Sequence, residues 1–362
     1  MNTIVPLEIY TPLYYHLLFF GIIITGIQAQ SVKLGTSGNM GYMKTFGIIF
    51  FLFVFLYMGL RPVSYWFGDM GTYANYFNRY QSGEGVAMFK DGLFYTFMKV
   101  CSGFMSVNTF FFLCAVLYII PLWIVCKKWF KNYWFYGFLM LVSTLTFWAY
   151  GTNGIRNGIA SSFFLLALSR EKLGYKILWL FLSINFHSSM VLPILALGLT
   201  YFKNSTNLYF KIWLVCIPLS LIGGGFWESF FAGLNLEDQR LNEYLVGNEY
   251  ADSFSSTGFR WDFLLYSGLG VFSGWYYIFK RKFIDKIYTQ LFNIFLITNA
   301  FWILVIRASF SNRFAYLSWF MLGLVIIYPL IKKYFIKDQH KWIGRIMIVY
   351  FLFTYSLEVI LK

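Results

Sequence analysis

Long apolar stretches alternate with short polar segments along almost the whole chain. Stretches such as 46–60, 110–125, 133–150 and 314–331 approach the roughly 20 residues that a helix needs to cross a bilayer. The pattern predicts an all-α fold, a polytopic membrane bundle of about twelve transmembrane helices in a single integral membrane domain, 1–362. The predicted spans are 12–29, 44–60, 108–126, 133–150, 154–169, 175–186, 188–202, 208–226, 261–279, 289–306, 312–331 and 342–361.

The segment 175–202 is short for two ordinary spans at about 1.5 Å per residue. We expect two short or tilted helices joined by a turn at Asn185–Ser188. One broken helix is an alternative. A single continuous span is another, and it would invert the sidedness of every later connection. Non-helical backbone at such a depth is tolerated only where protein buries it or a watery cavity adjoins it. His187 lies at the break in the preferred assignment.

Two long connections, 61–107 and 227–260, are expected on the outer side of the membrane. The first mixes aromatic, glycine and charged residues, and its segment Leu93–Met105 resembles a helix that lies on the bilayer surface. The second is acidic and rich in Ser, Asn and Gly, which makes it a candidate lid. Long connections in compact proteins are usually functional.

Composition and charge agree with a membrane protein. The chain is 59% hydrophobic and only 12% charged, whereas about 25% of residues are charged in soluble domains. Most Lys and Arg residues fall in one alternating set of connections, which the positive-inside rule assigns to the cytoplasm, with both termini outside. The net charge of +14 is spread over short loops, so no nucleic-acid partner is expected. The segment before the first span lacks Lys and Arg, so we expect this span to remain uncleaved.

The sequence lacks the common motifs of metal and nucleotide chemistry. It has no Walker loop, no His-Glu-x-x-His, no Gly-x-Ser-x-Gly and no acidic pair at a helix end. The 4 cysteines have no metal or redox spacing, and we interpret them as packing residues. Sparse acidic residues also argue against a metal site with oxygen ligands. We therefore expect neither a metal nor a cofactor.

Ionisable residues at the outer ends of the predicted spans are the candidates for chemistry. Charges at membrane depth usually face a cavity or each other, and they usually have a function. Arginine suits phosphate recognition because its planar guanidinium can donate two parallel hydrogen bonds. The candidates are Arg61, Asp69, Arg156, His187, Arg307 and Arg313.

Arg156 has the strongest physical argument. We expect Thr152 or Asn153 to cap a helix that starts near Gly154, which puts Arg156 in the first helical turn. Unpaired amides and the positive end of the helix dipole favour an anion there, so Arg156 would reinforce a phosphate site. The alternative is an arginine that only extends to the membrane interface.

Asp69 and His187 are the candidate proton-transfer residues. Asp69 can act as a general base on a sugar hydroxyl within hydrogen-bond reach, or it can form a plain salt bridge with Arg61 or Arg79. His187 can act as a base or a pyrophosphate ligand, or it can be a structural histidine bonded to a turn carbonyl. The residue types leave both choices open.

Four short motifs occur in order along the chain. They are Arg61 with Gly68-Asp69-x-x-x-Tyr73, Ile155-Arg156-Asn157-Gly158-Ile159-Ala160, Asn185-Phe186-His187-Ser188-Ser189 and Asn312-Arg313-Phe314. Each motif is short, but the ordered set resembles the EpsG-like family of bacterial exopolysaccharide and O-antigen polymerases. The resemblance covers most of the chain, although 227–260 and the last span carry no matching signature.

The resemblance implies a multi-spanning, GT-C-like glycosyltransferase of the Wzy type in the bacterial plasma membrane, with its site on the periplasmic or outer face. Such enzymes transfer a growing glycan from undecaprenyl pyrophosphate to another lipid-linked repeat unit. They serve O-antigen, capsule or exopolysaccharide synthesis and are thought to need no metal or nucleotide sugar.

The resemblance also implies roles for the candidate residues. Asp69 or His187 would deprotonate the acceptor hydroxyl, and Arg61 would orient Asp69 or join the anion site. The other arginines would hold the donor pyrophosphate and stabilise it as the leaving group, because preorganised donors act where negative charge develops. The implied substrate-binding residues are Arg61, Tyr73, Arg156, Arg307 and Arg313.

Three other functions compete with polymerisation. An O-antigen-type ligase shares the lipid pyrophosphate donor but has another acceptor, and a membrane O-acyltransferase would depend on a thioester donor and a histidine. A lipid-linked oligosaccharide flippase would move its substrate without forming a bond, but the chain shows no related halves of the transporter kind. The expected partners are the lipid bilayer and the undecaprenyl-pyrophosphate-linked oligosaccharide as donor and acceptor, with a chain-length regulator as a further candidate.

Overall fold

The computed structural model describes residues 5–86, 91–233, 258–308 and 310–361. Within those residues the chain is helical and contains no strand, which confirms the all-α prediction. The first helices are α1 (Leu7–Ser31), α2 (Ser37–Gly59), α3 (Asp69–Gln81), α4 (Gly92–Ser102), α5 (Val107–Phe130), α6 (Trp134–Val142), α7 (Leu145–Thr152), α8 (Ile155–Leu168) and α9 (Leu173–Phe186). They are followed by α10 (Val191–Phe202), α11 (Thr206–Gly223), α12 (Phe226–Gly233), α13 (Trp261–Trp275), α14 (Lys286–Leu304), α15 (Ser311–Trp319), α16 (Leu322–Lys332) and α17 (Gln339–Tyr355).

Several helices in the described part of the chain are long and apolar enough to cross a membrane. Three shorter apolar helices, Ile155–Leu168, Leu173–Phe186 and Ser188–Phe202, match the predicted spans between 154 and 202. The chain is therefore a multi-pass membrane protein, while the number of spans and the side of the termini stay predictions. The 7 long segments are Leu7–Ser31, Ser37–Gly59, Val107–Val142, Thr206–Gly223, Lys286–Leu304, Ser311–Lys332 and Gln339–Ile360.

The predicted span 133–150 is not one continuous helix. The structure divides it into α6 and α7, with Ser143 and Thr144 between them. The Ser143 hydroxyl donates to the Leu139 carbonyl at 2.6 Å, and the Thr144 hydroxyl donates to the Leu141 carbonyl at 2.9 Å. Such bonds from Ser and Thr to the preceding turn compete with the helical ladder and bend helices. An apolar run does not reveal them.

The predicted outer connection 61–107 carries two helices, α3 and α4. α4 confirms the helix expected over Leu93–Met105. Phe94 on its inner face is fully buried, whereas Val100 is exposed, as expected for an amphipathic helix. Of the second predicted connection, 227–260, only α12 and the last residues before α13 are described, and the rest lies outside the described residues.

The helices divide into two compact units. Unit 1 comprises Met1–Val191 and Leu330–Lys362, and unit 2 comprises Leu192–Pro329. The N-terminal and C-terminal parts of the chain therefore pack into the same unit.

In unit 1, α1 packs antiparallel to both α2 and α17. The hydroxyls of Tyr10 and Tyr57 each donate to the other residue's backbone carbonyl at 2.8 Å. At the other end of α1, Gln30 Nε2 donates to the Lys341 carbonyl at 3.1 Å. The start of α1 therefore lies beside the end of α2, and the end of α1 lies beside the start of α17.

A hydrogen-bonded cluster closes the end of unit 1 where α1 ends. The Tyr136 hydroxyl accepts from Asn39 Nδ2 at 3.0 Å and pairs with His340 Nε2. His340 Nδ1 pairs with the Val32 carbonyl. These residues flank three of the basic connections. Those connections therefore lie at one end of unit 1. The predicted site residues on the helices of unit 1 lie at the opposite end of this unit.

Unit 2 contains a buried hydrogen-bond network. Asn299 Oδ1 accepts from Trp213 Nε1 at 2.8 Å, and Asn299 Nδ2 donates to the hydroxyls of Ser267 and Ser318 at 3.0 and 2.9 Å. Trp319 Nε1 also donates to Ser267 at 2.7 Å. These hydrogen bonds join α11, α13, α14 and α15, and they satisfy both the oxygen and the nitrogen of the Asn299 amide.

Candidate functional site

Residues from three motifs meet at the end of unit 1 where α2 and α9 end and α8 begins. Arg156 lies in the first turn of α8 as predicted, since α8 begins at Ile155. The expected caps are wrong. Gly154 is the N-cap residue, and the Thr152 hydroxyl donates back to the Trp148 carbonyl at 2.8 Å. The first turn of α8 therefore has no side-chain cap.

Asn153 caps a different helix. Its Oδ1 accepts from the backbone N–H of Asp69, the first residue of α3, at 2.9 Å. Gly68 precedes Asp69 with φ 62° and ψ −124°, and a Cβ at this position would lie 2.4 Å from Asn153 Oδ1. Only glycine fits both this conformation and this close approach. The Gly68-Asp69 pair thus ties α3 to the turn before α8.

Arg156 is the centre of the site. Its Nε donates to the Tyr73 hydroxyl at 2.9 Å, and its Nη1 donates to Asp91 Oδ2 at 2.7 Å. The guanidinium carbon lies 5.5 Å from the ring centroid of Tyr73 and 5.7 Å from that of Tyr95, within the range of cation–π attraction. The side chain is 11% exposed, so it is largely buried within the protein.

Tyr73 lies one helical turn after Asp69 on the same face of α3. Burial raises the pKa of Tyr73 above its ordinary value, so the hydroxyl is neutral. It accepts from Arg156 Nε at 2.9 Å, and the contact of Tyr73 with substrate stays a prediction. The Asp69 side chain at the start of the same helix is exposed.

The predicted salt bridge of Asp69 with Arg61 or Arg79 does not form in the described residues. Arg79 pairs with Glu84 at 3.0 Å. Arg61 is 4% exposed, and its Nη1 donates to the Met58 carbonyl at the end of α2. Arg61 Nε and Nη2 have no hydrogen-bond partner in the part of the chain that the structure describes. Both roles predicted for Arg61 stay predictions.

The helix breaks at His187, within the turn predicted at Asn185–Ser188. α9 ends at Phe186, His187 is extended with φ −155° and ψ 122°, and a 3₁₀ turn begins at Ser188. His187 Nδ1 accepts from the Ser189 N–H at 3.2 Å. The Ser189 hydroxyl donates to Asn157 Oδ1 at 2.9 Å, which joins the third motif to the second.

The fourth motif belongs to unit 2. Arg307 and Arg313 flank the connection between α14 and α15, and both are exposed. The guanidinium carbon of Arg307 lies 6.0 Å from the centroid of the Phe259 ring, and that of Arg313 lies 4.7 Å from the centroid of the Phe310 ring. Their placement at this connection agrees with the sequence pattern, and their role stays a prediction.

The chain matches the EpsG family over residues 44–362, a range that includes all four motifs. The chain belongs to the EpsG family. No curated protein and no solved structure matches it.

Membership in the EpsG family confirms the resemblance and indicates a glycosyltransferase-like polymerase of the exopolysaccharide type in a membrane. The apolar helices agree with a lipid environment. Polysaccharide biosynthesis and a multi-pass membrane location follow from the same two observations.

In this EpsG-family protein, Asp91 is the site residue that the sequence pattern does not single out. It directly precedes α4, and its side chain is 4% exposed. Oδ2 pairs with Arg156 and lies 3.8 Å from His187 Nε2, and Oδ1 accepts from the Ser188 N–H at 2.8 Å. The available signal is the Asp91-Gly92 pair before a predicted amphipathic helix, but an Asp at such a position is usually only a helix cap.

Glu228 is a buried carboxylate of unit 2 in the first turn of α12. It is 5% exposed, and neither carboxylate oxygen has a hydrogen-bond partner in the described residues. Burial raises the pKa of Glu228, and the charge of Arg307 opposes this effect. Because the folded-state pKa is raised, the contribution of Glu228 to stability is largest at low pH and is lost as the pH rises through the raised value.

We therefore expect Glu228→Gln to stabilise the protein near neutral pH, because the amide keeps the shape and removes the buried charge. The gain in melting temperature over wild type, measured in detergent between about pH 5 and pH 8, should grow as the pH rises. Glu84→Gln removes an exposed carboxylate and is the control, for which little change is expected. A constant difference at every pH would contradict a titrating Glu228.

Proposed function

We propose that this EpsG-family protein is a metal-independent, Wzy-type polymerase of lipid-linked oligosaccharide repeat units. It transfers a growing glycan from undecaprenyl pyrophosphate to another lipid-linked repeat unit, in the synthesis of O-antigen, capsule or exopolysaccharide. The proposal takes the Arg156 end of unit 1 to be the outer face of the bacterial plasma membrane, because the basic connections lie at the opposite end of this unit.

The arrangement of Arg156 is the observation that carries this proposal. Tyr73 and Asp91 fix two of its nitrogens, and among the described residues no group accepts from Nη2. This nitrogen is therefore available to a ligand, beside the first turn of α8 that no side chain caps. A guanidinium donor next to a helix N-terminus favours a phosphate group.

In the proposed reaction, the acceptor hydroxyl attacks the anomeric carbon of the donor glycan. A glycosidic C–O bond forms, the bond from the anomeric carbon to the pyrophosphate oxygen breaks, and the hydroxyl proton passes to a base. Undecaprenyl pyrophosphate leaves with the bonding electron pair. Arg156 Nη2 and the Tyr73 hydroxyl donate to the leaving group, and this stabilisation increases as negative charge develops.

We assign the base to Asp69. Because His187 Nδ1 accepts from the Ser189 N–H, the neutral ring carries its hydrogen on Nε2, and its one acceptor nitrogen is occupied. The Asp69 side chain is exposed on the face of α3 that it shares with Tyr73, so an acceptor sugar can reach it. His187 contributes an N–H donor to the site.

The remaining arginines are proposed as ligands of the phosphate groups of lipid-linked substrates. Arg307 and Arg313 are exposed in unit 2, where a guanidinium is accessible to a pyrophosphate headgroup. Arg61 in unit 1 keeps two nitrogens without a hydrogen-bond partner in the described residues. A chain-length regulator is a further proposed partner of the polymerase.

Reconstituted activity tests the proposed function. Purified protein in lipid vesicles is given a synthetic lipid-linked repeat unit, which crude membranes of the native host polymerise, together with EDTA. The expected products are a ladder of longer glycans and free undecaprenyl pyrophosphate, and heat-inactivated protein should give neither. The absence of a ladder would refute the proposal. Transfer to another kind of acceptor would indicate a ligase, and movement of the substrate across the vesicle membrane without bond formation would indicate a flippase.

A further inference from the structure

Asp91 contacts two of the motif residues that carry the proposed chemistry. Oδ2 accepts from Arg156 Nη1 at 2.7 Å and lies 3.8 Å from His187 Nε2, while Oδ1 accepts from the Ser188 N–H at 2.8 Å. We propose that Asp91 is a positioning residue, which sets the Arg156 guanidinium and the His187 ring for glycan transfer. The inference rests on the proposed function.

The side chain of Asp91 makes these contacts and does not cap α4. Asp91 is the N-cap residue of α4, but its side chain makes no capping bond, so it forgoes the stabilisation that an aspartate usually supplies there. Its φ of 58° and ψ of 41° lie in the left-handed region, which is unfavourable for a residue with a Cβ and is tolerated best by Asp and Asn. Conformations of this kind persist where surrounding contacts outweigh the strain, and they cluster at functional sites.

Burial makes Asp91 and Arg156 depend on each other. Asp91 is 4% exposed and Arg156 is 11% exposed. Removing one partner of a buried ion pair leaves the other charge uncompensated, so the two are retained together. Asp91 at Nη1 and Tyr73 at Nε fix the plane of the guanidinium. They thereby direct Nη2 towards the position of a ligand.

Asp91 also favours one protonation pattern of His187. The Ser189 N–H at Nδ1 and the Asp91 carboxylate near Nε2 both favour the ring with its hydrogen on Nε2. A buried aspartate that fixes the tautomer and orientation of a histidine is a known device of catalytic sites. In this arrangement Asp91 acts through its neighbours and does not touch the substrate.

A double-mutant cycle tests whether Asp91 acts through Arg156. Rates of lipid-linked glycan transfer are measured for wild type, Asp91→Asn, Arg156→Lys and the double variant. Asparagine keeps the size of the side chain and an oxygen for the Ser188 N–H, but it lacks the charge. We expect Asp91→Asn to lower kcat about 10- to 100-fold with KM changed less than about threefold. The double variant should be at most about threefold worse than Arg156→Lys, because coupled neighbours are not additive.

Glu84→Gln is the matched control, since Glu84 is an exposed carboxylate of the same connection, paired with Arg79, and this variant should keep the wild-type kcat. Additive losses in the cycle, or wild-type kcat in Asp91→Asn, would overturn the inference. If Asp91→Asn does not fold in detergent, Asp91→Glu takes its place. Wild-type kcat in a folded Asp91→Glu would overturn the inference, and a lowered kcat that is not additive with Arg156→Lys would support it. An inactive wild type would count against the proposed function alone.

Discussion

Arg156→Lys is expected to lower kcat/KM for glycan transfer about 100- to 1,000-fold without unfolding the helices. The guanidinium donates to Tyr73 and Asp91 at the same time, and Nη2 is the nitrogen that we propose binds the phosphate. A lysine ammonium is a single charged centre and does not reproduce this fork. Because lysine keeps the positive charge, the buried Asp91 carboxylate still has a counterion and the fold should be retained.

Arg79→Lys is the control for this substitution. Arg79 lies on α3, is half exposed and pairs with Glu84, and exposed ion pairs of this kind contribute little, so activity should stay within about twofold of wild type. Both variants are assayed on lipid-linked repeat units in vesicles at equal protein content. Wild-type turnover in Arg156→Lys would show that Arg156 only anchors α8, and the phosphate site would then have to be sought among the other arginines.

The hydrophobic pattern predicts the helices of unit 1 well where a helix is bounded by polar residues on both sides. α8, for example, runs from Ile155 to Leu168 inside the predicted span 154–169. The same pattern does not predict the division at Ser143–Thr144. Hydropathy reports the transfer of side chains into lipid, and it carries no information about hydroxyls that bond to the preceding turn.

In the candidate site, too, local features can be predicted from the sequence, whereas contacts between distant segments cannot. Arg156 is predictable because the cost of a charge at the end of an apolar helix is a local property. The partner of Asn153 is not predictable, because it is the backbone of Asp69 across 84 positions of the chain. The contact of Asp91 is not predictable for the same reason, since 65 positions separate it from Arg156.

Residues of the first three motifs lie together in the structure, which the sequence of each motif does not reveal. Tyr73 from the first motif and Arg156 from the second are joined by a hydrogen bond, and Asn157 of the second accepts from Ser189 of the third. Short motifs that are weak singly thus form one connected cluster in unit 1. Such a cluster is expected when the residues act on the same ligand, because each must be held in a fixed geometry relative to the others.

Asp69→Asn is expected to lower kcat about 100- to 10,000-fold with little change in KM, because general base catalysis contributes about this factor. Asparagine has nearly the same shape and suits the start of a helix. The hydrogen bond from residue 69 to Asn153 uses the backbone N–H and not the carboxylate. Unchanged melting temperature and donor binding, measured alongside single-turnover rates, should show that the loss lies in the chemical step.

Comparison with His187→Gln decides between the two candidate bases. If Asp69 is the base, added formate should restore part of the turnover of Asp69→Ala, because a small carboxylate can occupy the vacated space. His187→Gln keeps an N–H donor, so it should lose less activity than Asp69→Asn. The reverse order, with no rescue by formate, would make His187 the base. In that case Nδ1 of the ring would first have to release the Ser189 N–H. Asp69 needs no such step, because its carboxylate is exposed at the start of α3.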